Sequence, residues 1–154
     1  MTDGSATARS VVVGSDGRAK AFRPIPTSER AAAVAAGFAA YDRGDFFAAH
    51  EHLEPAWMGT DDLVERAWLQ GLIKLAAAYV HDVRGNPAGI VRNLEGARSR
   101  LAEAAALTPV AAAPDGSRLD LEVLVTAIDL RLADLATHPS GATLGPPELP
   151  RNDR

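Results

Sequence analysis

Between Leu69 and Val83 the apolar side chains Leu69, Leu72, Ile73, Ala76, Tyr79, Val80 and Val83 return at intervals of three and four. That spacing gathers side chains on one face of an α-helix and cannot be buried by a strand, whose period is two. Gly59-Thr60-Asp61-Asp62 breaks and restarts the chain before the pattern and Gly85 stops it, so one helix spans about Asp62 to Arg84. Its length and wide apolar face put it at the centre of a bundle, because such a face must be covered by other helices.

The rest of the chain supplies those helices. Thr27 or Ser28 can cap a first one, with Val34, Phe38 and Tyr41 on one face and Gly44 at its end. Asp45 caps a second over Phe46–Trp57, in which Pro55 lacks an N–H and should bend or loosen the last turn. Asn86-Pro87 opens a fourth, carrying Ile90, Leu94, Ala97 and Leu101 until Thr108-Pro109. After a Pro/Gly/Ala loop, Asp120 caps a fifth with Leu121, Leu124, Val125, Ile128, Leu132 and Leu135. The expected fold is all-α, about five helices packed as antiparallel hairpins in a single bundle, without strands. Residues 1–26 read as an extended, weakly ordered arm in which Gly14–Gly17 can turn a small hairpin, residues 27–137 as the helical domain, and residues 138–154 as a Pro/Gly-rich tail without packing potential. No fixed-period repeat is present.

Composition removes several function classes. With 154 residues and 47% hydrophobic content the chain can fill one core. It has no cysteine, which excludes disulfides, thiolate ligands and thiol catalysis. A net charge of −4 gives no footprint for nucleic acid. The longest apolar run, Leu72–Val80, is broken by Lys74 and falls far short of the ~20 residues that span a bilayer. Met1–Ser10 lacks a basic patch followed by an apolar stretch, so a cytoplasmic location is expected. Neither GxGxxG nor GxxxxGK[ST] occurs, and a helical pattern without a nucleophile elbow gives no ground for a Ser/His/Asp set. Alanine is abundant and arginine far outnumbers lysine, as GC-rich coding alone would produce, so single alanines carry no weight in this reading; the lysines are Lys20 and Lys74.

The second helix holds the candidate site. At about 100° per residue Phe46, Phe47, Leu53 and Trp57 gather on one side with His50 and Glu54 between them, while Glu51 sits at the edge and His52 points away. A carboxylate carried inward costs several kcal/mol unless it is paired, protonated or beside water. The third helix offers partners in Gln70, Lys74 and His81, spaced at four and seven, with Lys74 the expected counter-charge to Glu54; the same stripe continues through Arg66 and Arg84 and could be a solvated face. Two readings stay open. In one, His50, Glu54, Gln70 and Lys74 form a structural network within an interaction module, with a protein partner or a second copy bound elsewhere. In the other, His50 and Glu54, with Glu51 or His81, hold a divalent metal or act as an acid/base pair for hydrolysis. His50-Glu51-His52-Leu53-Glu54 falls short of HExxH because position 54 is not histidine, and the paired Glu-x-x-His of di-iron bundles is absent. No cofactor is predicted, and Trp57 and Trp68 read as core aromatics.

Tyr41-Asp-Arg-Gly44-Asp-Phe-Phe47-Ala-Ala-His50-Glu51-x-Leu53-Glu54-x-x-Trp57, followed by Leu69-Gln70-Gly71-Leu72-Ile73-Lys74-Leu75-Ala76-Ala77, resembles the domain-of-unknown-function family 309, small helical proteins with an "AHExLExxW" segment and a "QGLIxLA" helix. The resemblance covers about residues 30 to 135. It implies an all-helical bundle and no established activity, and it marks His50, Glu51, Leu53, Glu54, Trp57, Gln70, Gly71, Leu72 and Ile73 as the motif positions. Pro55 departs from the helix-forming residue usual there.

Overall fold

A computed structural model describes residues 11–13 and 19–152 of the chain, with side chains from residue 22 onward. Five helices follow one another: α1 (Thr27–Asp42), α2 (Phe46–Met58), α3 (Leu63–Val83), α4 (Pro87–Leu107) and α5 (Leu121–Thr137). Each packs on its neighbour in sequence, and α3 lies between α2 and α4. Asp45, Asn86 and Asp120 cap as the sequence indicates, and Asp62 adds a fourth cap. Asp45, Asp62, Asn86 and Asp120 each accept a hydrogen bond from the backbone N–H three residues on, at 2.9–3.2 Å. Helix α1 differs. Its N-cap position is Pro26, with no side-chain cap, and Thr27 and Ser28 lie inside the first turn. Proline presets the backbone angle at the helix entrance, and its carbonyl accepts from the Glu29 and Arg30 N–H groups at 2.9 and 3.0 Å.

Helix α3 is buried almost all round, with Trp68, Leu69, Leu72, Ile73, Leu75 and Tyr79 inside the core. Gly71 brings α4 close. A methyl group built on it would stand 2.6 Å from Leu101 Cγ and 3.3 Å from the Ala97 carbonyl oxygen. Helix α2 runs through Pro55, and its final turn tightens so that Gly59 N–H donates to the Ala56 carbonyl three residues back. The proline therefore loosens the ladder without displacing Trp57, which is 2% exposed.

Two departures from the sequence reading concern strands. The Pro/Gly/Ala loop contains a hairpin, β3 (Val110–Ala112) paired antiparallel with β4 (Arg118–Asp120), Ala111 opposite Leu119. Pro114-Asp115-Gly116 turns it: Asp115 accepts from the Ser117 N–H and hydroxyl, and Gly116 takes a positive φ of 94°. A third strand, β5 (Arg151–Asn152), pairs with β4 on its other edge. Near the N-terminus β1 (Val11–Val13) and β2 (Ala19–Ala21) also pair antiparallel, the arrangement a Gly14–Gly17 turn would close, although that turn lies outside the described residues, as do residues 1–10.

The second departure is the segment after α5, which packs despite its composition. Tyr41 Oη donates to the Pro147 carbonyl at 2.7 Å, Arg131 Nε donates to Gly145 at 2.9 Å, and the Asp120 N–H donates to Pro150 at 2.9 Å. Asp134 accepts from the hydroxyl and N–H of Thr143. Arg151 bonds Asp42 at 2.5 Å with its guanidinium carbon 4.6 Å above the Phe38 ring, and Leu149 rests on the core. A proline-rich strand has few N–H groups to satisfy, so its carbonyls can be met from the helices. Helical periodicity gives no hint of that.

Candidate functional site

On α2 the buried positions are Ala49, Leu53, Ala56 and Trp57. The alanines turn the buried face away from Phe47, which is 60% exposed, contrary to its expected place among the core aromatics. Small side chains allow close helix approach, so this face is centred on Ala49 and Ala56 rather than on the bulkiest residues. His50 and Glu54 accordingly stand at its rim, each part-exposed, instead of at its middle. His50 Nδ1 is 3.4 Å from Glu51 Oε2, on a carboxylate that is itself 57% exposed.

Across from α2, Gln70 is 7% exposed and joins Thr60 and Ser117 as the buried polar residues among those described. A primary amide has four hydrogen-bonding valences, so holding it there requires polar neighbours. The stripe through Arg66 and Arg84 is thus not a solvated face at Gln70. Lys74 and His81 do not take the expected places. The Lys74 chain lies over Gly96 of α4, its Cδ 2.9 Å from where a methyl group on that glycine would stand, and the charge acting on it is the Arg100 guanidinium. Burial, reinforced by Arg100, holds its ammonium below the usual lysine range. His81 is at the far end of α3, about 16 Å along the axis from Gln70; its Nδ1 is 3.1 Å from Asn86 Nδ2, and its ring packs on Gly89. It is therefore removed from the set of candidate metal ligands. Among the described residues, no group of three or more histidine, aspartate and glutamate side chains is arranged to hold a metal ion.

The model of one protein family, Domain of unknown function (DUF309), matches residues 34–93. Over that stretch, which is less than half of the chain, the protein is similar to the family. The matched segment takes in the larger part of α1, all of α2 and α3 and the start of α4, and so includes every motif position named from the sequence, although it is shorter than the 30–135 stretch of the resemblance. No curated protein and no solved structure matches the chain.

Surface cavities of about 310–460 Å³ among the described residues are lined by side chains other than His50, Glu54, Gln70 and Lys74. One is lined by Phe46, Phe47, Val80 and Val83 together with Asp45 and Arg84, beside the α1–α2 turn, and Val83, expected in the core, is 80% exposed. Val83 belongs to the last turn of α3, past the point where α2 and α4 cover that helix, and periodicity alone cannot show where cover ends. Two further cavities share Arg30, Asp62 and Glu65, none of which the sequence reading selected. Arg30 and Glu65 lie on different helices, α1 and α3, so no local spacing joins them. No helix of the described residues is long and apolar enough to cross a membrane.

Proposed function

We propose that the chain is a structural and interaction module in which His50, Glu54 and Gln70 form a polar network that fixes α2 against α3, with Lys74 at its margin. The observation that carries this reading is the separation of polar cluster from open surface. Gln70 is almost wholly buried on the central helix, whereas the cleft left open near these helices is bordered by exposed Phe47 and Val83. A buried amide that needs defined partners specifies one packing register, and an uncovered apolar border is where a protein partner gains most from contact. The competing reading, a metal-dependent hydrolytic centre of His50, Glu51 and Glu54, has less support, since Glu51 faces solvent and no three-ligand set is assembled among the described residues.

Metal analysis and thermal unfolding of untagged protein separate the two. The module reading expects no stoichiometric divalent metal, a melting temperature unmoved by EDTA, and a loss of several degrees on Gln70→Ala. Stoichiometric metal that disappears in His50→Ala would overturn it.

A further inference from the structure

The two cavities that share Arg30, Asp62 and Glu65 measure about 460 and 440 Å³, within the range of small-molecule sites. Arg30 projects from the first turn of α1 and Glu65 from the first turn of α3. Both side chains are at least four-fifths buried, yet Arg30 Nη2 is 3.6 Å from Glu65 Oε1, too far for a hydrogen bond. Arg30 Nε is buried and has no hydrogen-bond partner among the described residues. Glu65 is better held: its Oε1 accepts from the Thr60 hydroxyl at 2.7 Å, and Thr60 is itself buried. A guanidinium offers five N–H groups in a planar fork suited to a carboxylate, and the buried Nε–H of this one is left without a partner among the described residues.

The charge pattern narrows the ligand. A simple anion drawn to Arg30 would face Glu65 and Asp62 at close quarters. A simple cation drawn to those carboxylates would leave Arg30 buried without compensation, which is the costly outcome for a desolvated pair. A molecule carrying both an ammonium and a carboxylate satisfies each side at once and replaces the loose Arg30–Glu65 contact without stranding either charge. Trp68, Val64 and Pro114 in one cavity, with Phe22 and Ile25 in the other, supply apolar walls for the remainder of such a molecule. We propose that these paired cavities bind a small zwitterion of the amino-acid class, its carboxylate on Arg30, its ammonium on Glu65 and Asp62, and its side group against Val64 and Pro114. The site lies apart from the His50 cluster and does not depend on its role.

The test is thermal unfolding of the full chain with the standard protein amino acids added singly, each with its methyl ester, which lacks the carboxylate, and its N-acetyl form, which lacks the ammonium. At about a hundredfold excess over Kd a true ligand should raise the melting temperature by about 5 °C or more. Both derivatives should bind at least tenfold more weakly, and Arg30→Gln should abolish the shift. No shift with any amino acid, equal binding of either derivative, or a shift retained in Arg30→Gln would overturn the proposal. Should Arg30→Gln fail to fold, the derivative series on the unaltered chain still decides.

Discussion

The two tyrosines of the chain are both buried, but one hydroxyl makes a well-formed hydrogen bond and the other does not, so replacing each by phenylalanine should give opposite results. Tyr41 Oη donates to the buried Pro147 carbonyl at 2.7 Å. Tyr41→Phe removes that bond and strands the carbonyl, a loss of about 1–2 kcal/mol. In a domain of this length that corresponds to about 3–6 °C in melting temperature. Tyr79 Oη is buried without a well-formed hydrogen bond among the described residues; the Arg131 guanidinium approaches it and favours its ionised form by charge and by a side-chain contact short of good bonding geometry. Tyr79→Phe should therefore stay within about 0.5 kcal/mol of the parent or stabilise it. Alkaline titration provides a second readout. Burial pushes the Tyr79 phenol up to about 12 and the Tyr41 phenol further still. Above the unfolded tyrosine value of about 10 the unfolded chain releases protons that the native state retains, so stability must fall as pH rises, by up to about 1.4 kcal/mol per pH unit for each tyrosine. Either phenylalanine variant should remove one share of that slope. Urea unfolding at neutral pH and across the alkaline range measures both quantities. Equal losses at neutral pH for the two variants, or an alkaline slope that neither changes, would refute the reasoning.

Other outcomes follow from the packing and charges. Gly71→Ala should gain about 1 kcal/mol of helix propensity yet lose more to the collision with Leu101, for a net loss of about 1–2 kcal/mol in chemical denaturation; a net gain would mean that α3 and α4 are less closely seated than described. The Thr143 hydroxyl and N–H hold the Asp134 carboxyl below the usual carboxylate range, so its contribution is present above the unfolded value near 3.9 and is lost as pH falls through the lowered folded value. Asp134→Asn should flatten that acid limb and speed proteolysis after α5, and an unchanged acid limb would contradict this. Burial lowers the Lys74 pKa, which makes its charge unfavourable at neutral pH and relieves the cost as pH rises toward the unfolded value near 10.4. Lys74→Met should thus raise the melting temperature at neutral pH, with the gain shrinking toward alkaline pH. A marked drop instead would reveal an ionic partner for Lys74.

The helices were legible because each carries a local sign of its limits: Asp45, Asp62, Asn86 and Asp120 at the starts, and Gly44 and Gly85, both with positive φ, just past two of the ends. What escaped the sequence has identifiable causes. Ala49 and Ala56, inconspicuous in so alanine-rich a chain, define the buried face of α2, which leaves Phe47 exposed and sets His50 and Glu54 at the rim rather than at the centre. Pro114-Asp115-Gly116 was a readable turn between two three-residue strands too short to show alternation. The last segment is held by its carbonyls, which every residue possesses and no motif announces. Lys74 follows a different logic: only a glycine on another helix, Gly96, leaves room for its chain, and such a pairing has no trace in local spacing.

The claim that His50, Glu54 and Gln70 act together between α2 and α3 is tested most directly by a double-mutant cycle on Glu54→Ala and Gln70→Ala, read by equilibrium unfolding. A shared network predicts a coupling energy above about 0.5 kcal/mol. Losses that simply add, to within about 0.3 kcal/mol, would show the two side chains to be independent and remove the basis for the proposed role.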